Sequence, residues 1–555
     1  MAENKDSDGA ESGHGKLSLW DTVSIIVGIV IGSSIFTTPP TIFENVGGPW
    51  IALGVWAFCG LLSFIGALCY AELATTYPRA GGDYVYLTRA FDRPMGFLFG
   101  WAQLAVILSS STGAMAFIFG EYGNGLIGHH AGAEYGAVSE AEKKLNAKVG
   151  DRKDLDNKKK ADMFPDEFKG LDDAQKALAS RRNALDFQAA QMGITAVLAL
   201  TALNFFGLVL GKWVQNVLVI IKLIGLALIL IAALRMPADD AFSVPEGLQV
   251  TGPGWPLAMI LVLYAFGGWN DAAFVAADLR DRRNITKALL IGTVGVTIVY
   301  LIVNFSYILS LGFMDARNWR PTIAADVLKR GFEDIGIRIG FRDIGGKIMS
   351  VIVMISALGA MNGLIYTGSR VYLTLGKEHS VFAFLGYWNK TLKSPVLSLV
   401  AQALVTISMI LAVGTAMGRD SIDAALVALI DTKIPWGQYF GGFNTLYAGG
   451  APVFWIFFLL TGFSMFALRA RDPKIERPFM LRAPWYPVLP IIFCGMCLFG
   501  FVSAITYAKW ISLLGFVPLF LGLPLYWLSG KGQTVNDSSS LETTSADQAS
   551  MASKI

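Results

Sequence analysis

The chain has 555 residues, 54% of them hydrophobic and only 16% charged, against roughly 25% charged in soluble proteins. That composition excludes a string of soluble domains, and the formal net charge of +3 gives no reason to expect a nucleic-acid partner. Apolar runs of about 20 residues, the length a ~30 Å hydrocarbon core requires of a helix, recur along most of the chain and predict an all-α polytopic membrane protein.

In chain order, residues 1–16 are polar, lack the apolar core of a cleavable signal peptide and are expected to be a disordered tail. A transmembrane domain is predicted over 17–528, with spans near 19–39, 49–72, 95–126, 187–208, 212–235, 254–279, 287–313, 343–375, 394–416, 449–469, 485–507 and 510–529. The Ser/Thr-rich end, 529–555, is expected to be a second disordered tail. Basic residues concentrate in the connections after even-numbered spans (Arg79, Arg89 and Arg93, then Arg280, Arg282 and Arg283, then Arg469, Arg471 and Arg477), whereas 40–49 has no Lys or Arg. The positive-inside rule therefore places those connections and both termini in the cytoplasm.

Residues 129–186 carry twelve basic and twelve acidic side chains, a long, charge-balanced segment of a kind that translocates regardless of that rule. Stretches such as SEAEKKLNAKV favour an exposed helical insertion on the outer face; a flexible loop is the other reading. The cysteines (Cys59, Cys69, Cys494 and Cys497) all fall in apolar spans and read as buried free thiols. With the four histidines outside the spans, no metal or other cofactor is expected.

Two spans are interrupted. Val27–Pro40 reads VGIVIGSSIFTTPP, and Tyr264–Asn270 reads YAFGGWN. Each Gly weakens a helix by about 1 kcal/mol relative to Ala, and irregular backbone at membrane depth is tolerated only where it is buried in protein or lines a cavity. Small residues also serve close helix packing, which is the alternative for either cluster alone. The breaks lie in spans one and six, corresponding positions of two five-helix halves. An odd number of crossings per half inverts the second, which is the arrangement of paired broken helices around a midplane site. Freed N–H groups there suit a carboxylate and freed C=O groups an ammonium.

Lys222 sits about ten residues into the fifth span, near the bilayer centre at 1.5 Å per residue. An insertion cost of about 2.5–3.5 kcal/mol makes such a lysine a functional candidate. The readings are a tie to backbone carbonyls, a built-in cation and a proton carrier.

These motifs carry a resemblance. IIVGIVIGSSIF, GALCYAELATTYPRAGGDYVYL, YAFGGWN and MNGLIYTGSRVYLTLGKEH are similar to stretches of the amino acid–polyamine–organocation (APC) superfamily, within it the L-type amino acid transporters, over about 17–128 and 187–528. The resemblance implies a leucine-transporter-like 5+5 inverted repeat plus two helices, twelve in all. It implies an amino acid substrate whose carboxylate meets the backbone around Gly32, Ser33, Ser34 and Ile35 and whose ammonium meets carbonyls near Val30 and Tyr264. Tyr264 matches an aromatic gate, Gly267 the close-approach glycine, with Gly268 of the same break also expected at the site, Asn270 a polar position near the site and Met115 a distal pocket position. Met115 read by itself is equally a core or lipid-facing methionine. Lys222 corresponds to a replacement for sodium, with Ser356 as its hydroxyl partner. Ser34 departs from the family's GSGIF, and Ala360 stands where relatives have serine. Animal members join a heavy chain through a cysteine after the third helix. No cysteine lies between Cys69 and Cys494, so no disulfide-linked heavy chain is expected. The function implied is sodium-independent transport of neutral amino acids by alternating access, as an exchanger; the alternatives are proton-coupled symport through Lys222 and a non-transporting amino acid sensor. No feature suggests an enzyme.

Overall fold

The computed structural model describes residues 17–79, 81–129, 132–149, 163–206, 208–248, 250, 254–281, 284–318, 323–338, 344–434, 436 and 441–529. Apart from Ser529, the predicted tails 1–16 and 529–555 lie outside the described residues, as does 150–162 of the charged segment. The described residues form helices and no strand, with only two isolated bridges, Leu17 to Leu279 and Asn389 to Ser394.

The order is α1 Leu19–Val30, α2 Ser34–Thr37, α3 Pro39–Glu44, α4 Pro49–Thr76, α5 Asp83–Ala102, a π-turn Gln103–Ile107, α6 Leu108–Leu126, α7 Gly132–Val149, α8 Pro165–Phe205 and α9 Leu208–Arg235. Then come α10 Trp255–Ala265, a 3₁₀ segment Trp269–Asp278, α11 Asn284–Leu311, α12 Phe313–Asn318, α13 Ile323–Arg338 and α14 Ile344–Glu378. The chain ends with α15 Val396–Gly414, α16 Ala416–Ile430, α17 Gly441–Arg471, α18 Trp485–Ala508 and α19 Leu513–Leu528. Ten helical runs among the described residues are long and apolar enough to cross a membrane. The predicted count is twelve. Spans eleven and twelve fall in the one run Trp485–Leu528, and span four, the C-terminal half of α8, is not among the ten. Residues 132–149 form α7, which packs on α8 with Lys148 Nζ 2.9 Å from Glu167 Oε1.

The packing centre is α14 against α6, with α1 held between α9, α11 and α14. The outer faces are as apolar as the core, and polar groups are buried among the helices. On α9, Ile220, Ile221 and Ile224 are exposed while Lys222 between them is fully buried. Apolar exposure suits a lipid-facing surface, and a buried cation must then find its partners in the protein.

Local chemistry explains the first element. Ser18 and Asp21 form a capping box, Asp21 N donating to Ser18 Oγ (3.2 Å) and Ser18 N to Asp21 Oδ2 (2.9 Å). The same carboxylate accepts from Lys212 Nζ (3.1 Å) and Asn216 Nδ2 (2.8 Å), tying the start of α1 to α9. Far along the chain, Glu72 of α4 is fully buried and accepts from Arg469 Nε (2.8 Å) and Nη2 (2.6 Å) of α17, a bidentate pair.

Candidate functional site: a cavity at two interrupted helices

The regular ladder of α1 ends when Ile31 N donates to Val27 O (3.0 Å). Gly32 N then turns back to Val30 O at 2.7 Å, two residues away instead of four. Helical hydrogen bonding resumes at α2, only four residues long, and Pro39-Pro40 opens α3, where a missing N–H costs nothing. The chain thus leaves two kinds of group without helical partners at the break: carbonyls at the end of α1 and N–H groups at the start of α2.

The carbonyls are met from other helices. Lys222 Nζ of α9 donates to Gly28 O (2.9 Å) and to Ile31 O. Ser356 Oγ of α14 lies 3.0 Å from both Ile31 O and Gly32 O, and its single proton serves one at a time. Lys222 and Ser356, paired by the resemblance, thus converge on one carbonyl. Tyr300 of α11 brings its hydroxyl 2.7 Å from Val30 O and 2.8 Å from Ala265 O, bridging the ends of α1 and α10. Seven residues on, Tyr307 donates to Ile35 O (3.2 Å). Two tyrosines seven apart on one face of an apolar helix were a signal that the sequence reading passed over.

The second interruption follows α10. Gly267 N donates to Tyr264 O at 2.8 Å, and Gly268 adopts φ +102°. A Cβ on Gly268 would stand 2.5 Å from Ile29 Cγ2, so both the left-handed backbone and the close approach to α1 require glycine. The two breaks are therefore in direct contact.

Between them and α6, α14 and α17 lies a cavity of about 120 Å³. At roughly 10–15 Å³ per water by the same kind of measure, that is room for a ligand of about ten non-hydrogen atoms. Of the predicted site residues, Val30, Gly32, Ser34, Met115, Tyr264, Gly267 and Gly268 line it. Ser33, Ile35 and Asn270 do not. Ser33 and Ile35 are fully buried, with Ser33 Oγ turned toward Met115 Sδ at 4.0 Å, and Asn270 is turned aside to donate to Asp271 Oδ1 (3.2 Å). Tyr264 is half-buried, its ring 3.5 Å centroid to centroid from Tyr447 of α17. Lining residues that the sequence reading missed include Gln103 of the π-turn, Asp271, Tyr447 and Trp455. Asp271 is one residue beyond the predicted Asn270.

Apolar outer faces, long apolar helices and a ligand-sized internal cavity walled by two touching helix breaks define a multi-pass membrane protein. Residues 17–527 match the family model of amino acid permeases. The chain belongs to that family, within the APC superfamily. It is similar to the b(0,+)-type amino acid transporter 1 of Homo sapiens, 25% identical over 527 residues, covering 92% of this chain and 87% of that protein. It is also similar to the large neutral amino acids transporter small subunit 2 of Oryctolagus cuniculus, 26% identical over 549 residues, covering 95% and 84%.

Proposed function

We propose that this protein is a sodium-independent secondary transporter of neutral amino acids that works by alternating access as an exchanger. The observation that carries the reading is the fully buried Lys222 ammonium on the Gly28 and Ile31 carbonyls at the break of α1. Carbonyls freed by a broken membrane helix are cation ligands, and here a fixed cation already holds them. The carbonyls that a mobile sodium ion would take at this break are therefore already held.

In this reading the twelve sequence-defined spans form a 5+5 inverted repeat plus two helices, with both termini cytoplasmic and the 129–186 segment on the outer face. The substrate carboxylate takes backbone N–H groups around Ser33, Ser34 and Ile35, just beyond Gly32, whose own N–H is held by Val30 O, and the ammonium lies near Val30 and Tyr264. Tyr264, tilted against Tyr447, closes over the ligand, with Met115 beneath Gly32. With no cysteine between Cys69 and Cys494, the protein works without a disulfide-linked heavy chain at that loop.

The test is uptake of labelled leucine and alanine into vesicles containing the purified protein. The proposal expects uptake only when unlabelled amino acid is inside, equal in sodium and potassium buffers and indifferent to an imposed pH gradient. Accumulation in empty vesicles under an acid outside would replace exchange by proton symport. A sodium requirement would overturn the reading of Lys222, and binding without flux would make the protein a sensor.

A further inference from the structure

Several basic side chains near the ends of the long helices are answered by carboxylates. Arg89 lies 2.6 Å from Asp472, Arg469 2.6 Å from Glu72, Arg471 3.2 Å from Asp92 and Lys212 3.1 Å from Asp21. The connection between α14 and α15 breaks that pattern. It carries Lys390 and Lys393, both exposed, and neither has a carboxylate partner among the described residues. The sequence gives the reason. No Asp or Glu occurs between Glu378 and Asp420, and none between Asp186 and Asp239, the stretch that holds the end of α8 and all of α9.

A short closed turn holds the two lysines together. Asn389 N donates to Ser394 O at 3.0 Å, and the Asn389 side-chain oxygen accepts from Leu392 N at 2.9 Å. Three residues apart, the two backbones stand at most about 11 Å from each other. Ser394 Oγ donates to Phe205 O (2.8 Å), which pins the turn to the end of α8, and Ser398 Oγ donates to Leu385 O (2.8 Å). The turn is therefore fixed where α8 passes into α9.

Its surroundings are those of a membrane boundary. Phe384 and Tyr387 on the same connection are exposed, and so are Phe206, Leu210 and Trp213 at the passage from α8 to α9. Exposed aromatic side chains at the ends of membrane helices sit at headgroup level. Two ammonium groups at that level, with no protein carboxylate to neutralise them, complement a negatively charged headgroup. The exposed apolar corner beside them complements its acyl chains. None of these residues lines the cavity.

We propose that Lys390 and Lys393 bind the phosphate of an anionic phospholipid whose acyl chains lie against Phe206, Leu210 and Trp213. In the topology proposed above this face is cytoplasmic. The lipid bridges the α14–α15 connection and the α8–α9 corner.

The experiment titrates phosphatidylglycerol, or phosphatidylcholine with the same acyl chains, into the purified full-length protein in detergent. Binding is read by native mass spectrometry and by the thermal unfolding midpoint. Phosphatidylglycerol is expected to bind saturably and to raise the midpoint, less so as salt is added. Its affinity is expected to fall about fivefold in Lys390→Gln or Lys393→Gln and about 30-fold in the double variant. The double arginine variant, Lys390→Arg with Lys393→Arg, is expected to keep most of it. So is Lys143→Gln with Lys169→Gln, which removes two exposed lysines from α7 and α8. Four results overturn the proposal: no phosphatidylglycerol binding, phosphatidylcholine binding equally well, an equal loss in the Lys143 and Lys169 pair, or undiminished binding in the double glutamine variant. Inorganic phosphate giving the same midpoint shift would make the turn a site for soluble anions and overturn it too.

Discussion

Replacing Lys222 by methionine keeps the length and bulk of the side chain and removes its charge and donors. At the end of α1, Ile31 O retains Ser356 as a donor, but Gly28 O does not recover one, because Gly32 N, which a continuous helix would send to Gly28, is spent on Val30. An orphaned buried carbonyl costs about 1–3 kcal/mol. Loss of a cation at a helix C-terminus adds up to about 2 kcal/mol. Relief from burying an ammonium works against both, so a net loss of about 2–4 kcal/mol at the break is expected, concentrated where α1 meets the cavity. Leucine exchange in vesicles should fall at least about tenfold, the equivalent of 1.4 kcal/mol, and the thermal unfolding midpoint in detergent should drop. A Lys222→Met protein with wild-type exchange and an unchanged midpoint would refute the idea that the ammonium holds the broken helix in shape.

Gly268→Ala places a Cβ against Ile29 and strains a residue at φ +102°, a backbone cost of about 1–3 kcal/mol; exchange is expected to be abolished, measured beside the amount of folded protein recovered. Tyr264→Ala removes a ring that packs at a tilt against Tyr447 at the cavity wall, so exchange should collapse while the gel-filtration profile and midpoint stay near wild type. Tyr300→Phe deletes the hydroxyl shared by Val30 O and Ala265 O; a loss of about 0.5–1.5 kcal/mol in stability and slower exchange are expected, and an unaltered exchange rate would show the bridge to be idle. Burial, with Arg93 adding to it, holds His379, just beyond α14, down to about 4 from its usual 6.5. The unfolded chain therefore takes up a proton between pH 6.5 and 4 that the folded chain refuses, so this contribution to stability is whole above 6.5 and is lost as the pH falls toward 4. His379→Gln should flatten that part of a midpoint-against-pH curve.

The breaks and the buried lysine were legible in the sequence because each is a local exception to an apolar run: glycines and serines where a helix should continue, a cation where lipid would penalise it. The partners of those groups were not legible. Nothing around Tyr300 distinguishes it from any tyrosine on a membrane helix until the fold brings its hydroxyl between two broken ends. Asn270 was expected at the cavity and Asp271 was overlooked for a related reason. The Gly267-Gly268 turn resets the helical phase, so the face on which each following residue emerges cannot be counted forward from α10.

Composition and apolar spacing alone determined an all-helical membrane chain, the positions of most of its long helices, the two interruptions and the isolated cation. These follow from the near-neighbour demands of backbone and lipid, which act within a few residues of the site where they are read. Tertiary structure decided that Lys222 caps α1, that Tyr300 joins the two breaks and that Asp271 and Gln103 line the cavity. Those depend on contacts between residues up to hundreds of positions apart, whose relative rotation is set by packing among α1, α9, α11 and α14 and carries no local trace.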